Sequence, residues 1–170
     1  MGETTKAVFR VVIEGSIDAV WHELTKQGEA QAAVFNAWLH AQVLEPGRKI
    51  QMRTGSGKYV MVVGEITGFT PPTRFSHTFR FTQYDDPECE VIYELKQLPA
   101  GVECTLTVDR IPVGTRTAKD MQGGGTMIVN TLKSVVETGK PSFGTRLMYF
   151  MFKYMEFVLP KKSDAKNWPL

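Results

Sequence analysis

The stretch RFSHTFRFTQYDDPECEVIYELKQLPAGVECTLTVDR (Arg74–Arg110) decides the fold. In Phe75–Thr82, Phe75, His77, Phe79 and Phe81 alternate with Ser76, Thr78 and Arg80. In Glu88–Gln97, Val91, Tyr93 and Leu95 oppose Glu90, Glu94 and Lys96. In Val102–Arg110, Val102, Cys104, Leu106 and Val108 oppose Glu103, Thr105, Thr107 and Asp109. Period-two alternation marks strands with one covered and one wet face. Asp85-Asp86-Pro87 and Pro99-Ala100-Gly101 separate them. Links that short join antiparallel neighbours, because parallel strands need a crossover of a dozen or more residues.

The same pattern extends upstream. Trp38–Leu44, Lys49–Thr54 and Tyr59–Phe69 read as strands, broken by Glu45-Pro46-Gly47, Gly55-Ser56-Gly57 and Thr70-Pro71-Pro72-Thr73. Val8–Glu14 is a further strand. Ser16 is an N-cap for a short helix over 17–26, with Ile17, Val20, Trp21 and Leu24 on one side; Gly28 ends it. Glu29–Val34 suits a second helical turn. Ile111–Gly125 is rich in Gly, Thr and charge and reads as a loop. Thr126–Thr138 is helical, with Met127, Ile128, Leu132, Val135 and Val136 on one side. It is the natural cover for the sheet. Thr145–Leu159 is a second helical pattern, and eleven of its fifteen residues are apolar. Lys161–Leu170 reads as a loose tail.

The chain has 170 residues, 20 Lys and Arg against 18 Asp and Glu. That length suits one domain burying roughly 70% of its unfolded surface, so a core needs no disulfide or structural metal. Residues 1–85 carry nine basic and eight acidic groups, and residues 86–170 carry eleven and ten. Neither half forms a basic arm, so nothing favours a nucleic-acid partner. No basic-then-apolar leader opens the chain, and no apolar run approaches the ~20 residues of a membrane helix. A reducing, cytoplasmic setting is the expectation.

The order of elements resembles the START-like helix-grip domains. Particular residues resemble the branch of homologues of the Hsp90 ATPase activator. They are Ser16–Leu24 with Val20-Trp21, Pro46-Gly47, Gly64-Glu65-Ile66, Pro71-Pro72-Thr73-Arg74-Phe75, and Gly101-Val102-Glu103-Cys104-Thr105-Leu106-Thr107. The resemblance covers roughly residues 7–140. Members often carry Gly-Trp where this chain has Gly125-Thr126, and the apolar helix after residue 144 lies outside the common domain. The resemblance implies an α+β fold. A curved antiparallel sheet of about six to seven strands wraps a long helix, with two short helices and an extra C-terminal helix. The organisation is then a domain over 1–141, an apolar extension over 142–160 and a tail over 161–170. It also implies a cavity between sheet and long helix, often used for an apolar small molecule. No cofactor is implied, and no residue specifically supports Hsp90 binding.

The chemistry-bearing residues are sparse. Cys89 and Cys104 lie too far apart along the ladder to pair, and Cys104 reads as a small core residue. His22, His40 and His77 are isolated, with no metal-ligand spacing. Gly55-Ser56-Gly57-Lys58 lacks the first glycine and the hydroxyl of a phosphate loop, and reads as a hairpin turn. His77 sits among Phe75, Phe79 and Phe81, in line with Tyr93. It is either a satisfied core histidine or a polar anchor in an apolar cavity. Trp38, Met52, His77, Phe79, Phe81, Tyr93, Met127 and Asn130 are the candidate cavity lining. Gly123, Gly124 and Gly125 are the candidate gate. The first functional expectation is therefore a binding module for an apolar or aromatic small molecule. An aromatase/cyclase-type enzyme, with His77 or Tyr93 as acid–base group, is a second. A co-chaperone or protein-interaction domain is the third. The apolar Thr145–Leu159 helix needs a covering surface: the outside of its own domain, a second chain or a membrane, for which a polar stripe of Arg146, Lys153 and Glu156 is thin in basic charge. A homodimer through Phe150, Tyr154 and Phe157 is expected, because two-fold dimers are the commonest oligomers.

Overall fold

The computed structural model describes residues Gly2–Leu170. Eight strands form one antiparallel sheet: β1 (Thr4–Ile13), β2 (Ala30–Gln31), β3 (Ala37–His40), β4 (Lys49–Arg53), β5 (Val60–Thr70), β6 (Arg74–Phe81), β7 (Cys89–Leu98) and β8 (Gly101–Pro112). Their order is β1-β8-β7-β6-β5-β4-β3-β2. Consecutive strands from β2 to β8 are neighbours, as their short turns require. The exception is β1, which returns to pair with β8 across Phe9↔Leu106 and Ile13↔Val102.

Paired residues of antiparallel strands project from the same face. The pairing therefore builds apolar rows across the sheet. One row runs Phe9, Leu106, Tyr93, Phe75 and Phe69. The next runs Ala7, Val108, Val91, His77 and Ile66. This face is covered by α1 (Ile17–Thr25) and α2 (Arg116–Thr138). Ser16 caps α1, its Oγ accepting from Ala19 N at 3.1 Å. The indole of Trp21 packs on Phe69 and Phe75.

Three expectations are corrected. The second short helix near residues 29–34 is absent: the segment is extended at β2 and then turns. Its backbone is tied across the end of α1. Gln31 Nε2 donates to the terminal carbonyls of Glu23 and Leu24, and Glu23 Oε1 accepts from Ala33 N. Those contacts satisfy groups that a helix end leaves open, and they outweigh local propensity.

The expected loop over 111–125 is also mostly helix. β8 runs to Pro112 and α2 starts at Arg116, so Gly123–Gly125 lie inside the helix. Thr115 Oγ1 caps it from Ala118 N, and Asp86 accepts from both the N and Oγ1 of Thr117. Gly125 is required by packing, since α2 rests on the Phe9 ring there. Tertiary contact thus overrides the poor helix propensity of three glycines.

Finally, residues 161–170 are not loose. They make two short 3₁₀ turns on the outer face of the sheet. Ser163 is fully buried, and its Oγ lies 2.9 Å from Thr82 Oγ1. Gln51 Nε2 donates to Trp168 O, and Arg80 stacks on the Trp168 ring. Between this strap and α2 lies α3 (Phe143–Tyr154), shorter than the sequence pattern and followed by a 3₁₀ turn at Glu156–Val158.

Candidate functional site

The most unusual polar group on the covered face is His77. Alternation along β6 turns Phe75, His77 and Phe79 inward, with the His77 ring 5.3 Å from Phe75 and 6.5 Å from Phe79. His77 is 1% exposed. Its Nδ1 lies 2.8 Å from Thr78 O. A carbonyl only accepts, so Nδ1 carries the proton and Nε2 is left as the bare acceptor of a neutral ring. Burial lowers the His77 pKa, opposed by the bond to Thr78 and the charge of Glu90. Nε2 itself is buried without a hydrogen-bond partner. Such an orphan costs about 1–3 kcal/mol, so it calls for an explanation.

Tyr93 is paired with Phe75, one row away from His77, which is paired with Val91. Desolvation raises the pKa of its phenol, with a smaller contribution from Cys104. Both cysteines are free and buried, and burial pushes each thiol up to about 12. Neither is a thiolate nucleophile at neutral pH. Among the described residues, no three His, Cys, Asp or Glu side chains gather as metal ligands.

The expected cavity lining divides among three places. Met52, His77, Phe79 and Tyr93 are buried in the covered face. Phe81 is half-buried beside them, its ring 4.8 Å from Phe79. Trp38 is on the outer face: it pairs with Arg53, whereas its neighbour Leu39 pairs with Met52 and turns inward. Met127 and Asn130 point away from the sheet, because the buried stripe of α2 runs through Thr117, Met121, Gly125, Val129 and Leu132. They line a surface groove of about 250 Å³ against Ser142 and Thr145 at the start of α3. A second surface groove, about 330 Å³, lies over Gln51, Thr78, Arg80 and Trp168. Under α1 and α2 the covered face is packed with Phe75, Leu106, Met121, Val129 and Leu132, all buried.

Sequence reasoning missed Glu23 and Gln31. Both are buried, Glu23 against Lys26 Nζ at 2.8 Å, and Gln31 Oε1 is a second unpartnered acceptor. The available signal was Glu23 at helical spacing from Val20, on the buried side of α1. At the other end of the chain, α3 is held by Tyr149, whose hydroxyl donates to Ala32 O at 2.8 Å. Phe150, Tyr154 and Phe157 are 59%, 62% and 79% exposed.

An antiparallel sheet curled over a long helix, with a short helix closing one end, defines the helix-grip proteins. The chain belongs to the family described as Activator of Hsp90 ATPase homolog 1-like protein, which matches residues 14–137. Solved structures share the fold. CalU16 from Micromonospora echinospora superposes with a TM-score of 0.65 at 18% identity, over 93% of this chain and 89% of that one. Protein MLL2253 from Mesorhizobium loti gives 0.64 at 15% identity, over 77% and 96%. The Aha1 dimer from Colwellia psychrerythraea gives 0.62 at 15% identity, over 80% and 98%. No curated protein matches the sequence significantly.

Proposed function

We propose that the domain binds an apolar molecule carrying one hydrogen-bond donor, held between the sheet and its covering helices. The observation that carries this reading is the orphaned, buried Nε2 of His77. A donor delivered there would remove a standing cost, and the surrounding rings of Phe75 and Phe79 supply the apolar wall. The covered face is packed, so binding requires the cover to part. Gly123–Gly125 in α2 are the place where that is cheapest, since each glycine weakens a helix by about 0.5–1 kcal/mol relative to alanine. They act as a hinge in a helix rather than as a loop gate.

Native mass spectrometry of protein purified from its own host tests this. A non-covalent adduct lost on organic denaturation is expected, and His77→Ala should weaken its retention about tenfold or more. Should His77→Ala lower the melting temperature and leave ligand retention unchanged, His77 is a core residue and the reading fails.

A further inference from the structure

We propose that α3 and the turn after it form a docking surface for an anionic phospholipid membrane. Phe143, Leu147, Phe150 and Tyr154 are spaced four, three and four residues apart, which puts them on one stripe of α3. All four are exposed, and so are Phe157 and Val158 in the following turn. Tyr149, the buried residue of α3, lies on another side and fixes the helix to Ala32. The stripe is therefore presented outward from an anchored helix. Exposed apolar surface of this extent marks an interaction site.

Charge selects the partner. Residues 139–170 hold six Lys and Arg and two Asp and Glu, so the segment is +4 while the rest of the chain is −2. Both acids are engaged locally. Glu156 Oε2 accepts from Ser56 Oγ at 2.6 Å, and Asp164 Oδ1 accepts from Lys166 N at 2.9 Å. α3 itself has no carboxylate. Arg146 and Lys153, seven residues apart, share one flank of the stripe, are exposed, and join no salt bridge among the described residues. Aromatic residues on one side and basic residues beside them are what a helix lying in the plane of an anionic bilayer needs. Long basic side chains reach headgroups while their stems follow the apolar surface. At twelve residues, α3 is too short to cross a bilayer, and among the described residues no helix is long and apolar enough to do so.

A second copy of the chain fits the same stripe less well. An antiparallel two-fold pairing of α3 would set Arg146 and Lys153 on the same rim as their own copies. The helix brings no acid to answer them.

Vesicle co-sedimentation of the full chain tests the proposal. The probes are phosphatidylcholine vesicles with and without about one-third phosphatidylserine. Binding to the anionic vesicles is expected, about tenfold or more tighter than to phosphatidylcholine alone, and weakened on going from about 0.1 M to about 0.5 M salt. Phe150→Ser with Phe157→Ser, and separately Arg146→Gln with Lys153→Gln, should each reduce it about tenfold or more. All four residues are exposed, so the fold is retained. No binding to anionic vesicles, or binding unchanged in both pairs of variants, overturns the proposal. So does a stable dimer in light scattering that Phe150→Ser with Phe157→Ser dissociates, because the face then belongs to a second copy.

Discussion

A methyl group added at Gly125 would sit 2.2 Å from Phe9 Cε2. The helix thus touches the first strand at a point where only glycine fits. Gly123, two residues earlier, has nothing within 4 Å of the same added atom. Gly125→Ala should destabilise the fold by roughly 1–3 kcal/mol, because overpacking outweighs the gain in helix propensity. Gly123→Ala should stabilise it by about 0.5–1 kcal/mol. Chemical denaturation of the two variants gives the comparison. Equal effects of the same sign would mean that α2 does not rest on Phe9.

Burial lowers the His77 pKa, so the folded chain holds this ring neutral where the unfolded chain protonates it, below about pH 6.5. Between the two pKa values the unfolded state binds more protons, and stability rises with pH until the unfolded value is passed. His77→Leu abolishes this contribution. The variant should therefore gain stability relative to the parent as the pH falls from about 7 to about 5. His40, also lowered by partial burial, contributes equally to both proteins and cancels. Parallel curves from urea titrations at several pH values would show that His77 is not held neutral.

Glu23 joins α1 to the segment after it. Its Oε1 accepts from Ala33 N at 3.0 Å and its Oε2 lies 2.8 Å from Lys26 Nζ, with both side chains largely buried. Glu23→Ala strands the buried N–H of Ala33 and leaves the Lys26 ammonium only the longer contact to Glu29 Oε2 at 3.8 Å, and should cost about 2–3 kcal/mol. Glu23→Gln keeps an acceptor for Ala33 N and should cost clearly less. Equal losses in equilibrium unfolding would remove the hydrogen bond to Ala33 from the account.

Cys89 and Cys104, with thiols pushed up to about 12, should resist a thiol-specific disulfide reagent at about pH 8 in the native protein. Both should react promptly on unfolding. Rapid reaction of either thiol in the native state would contradict its burial.

The reading of β6, β7 and β8 from alternation succeeded because a covered antiparallel sheet writes its two faces directly into period two. His77 stood out for the same reason: one polar residue among Phe75, Phe79 and Phe81. Other features depend on information that no local window holds. The start of α2 was hidden because glycines at 123–125 signal a loop, whereas contact with Phe9 and the cap at Asp86 hold a helix. Trp38 went to the outer face because pairing of Leu39 with Met52 fixes the phase of β3. Asn130 and Met127 face away from the sheet because the buried stripe of α2 runs through Gly125, which lies against Phe9 and carries no hydrophobic signal. Residues 161–170 look polar and turn-rich, yet Ser163 is buried because it docks on Thr82, far away in sequence.

The pairing of β1 with β8 bears on how the chain reaches this fold. Seven strands can assemble progressively, each beside the one made before it. The first strand cannot join them until residues 101–112 are in place, about ninety residues later. Contacts that distant close slowly, and they leave early apolar segments such as Val11–Ile13 without a partner while the rest forms. A ribosome-bound chain should therefore keep its beginning uncommitted until β8 has emerged, and the sheet and the grip of α2 upon it are completed together, at the end.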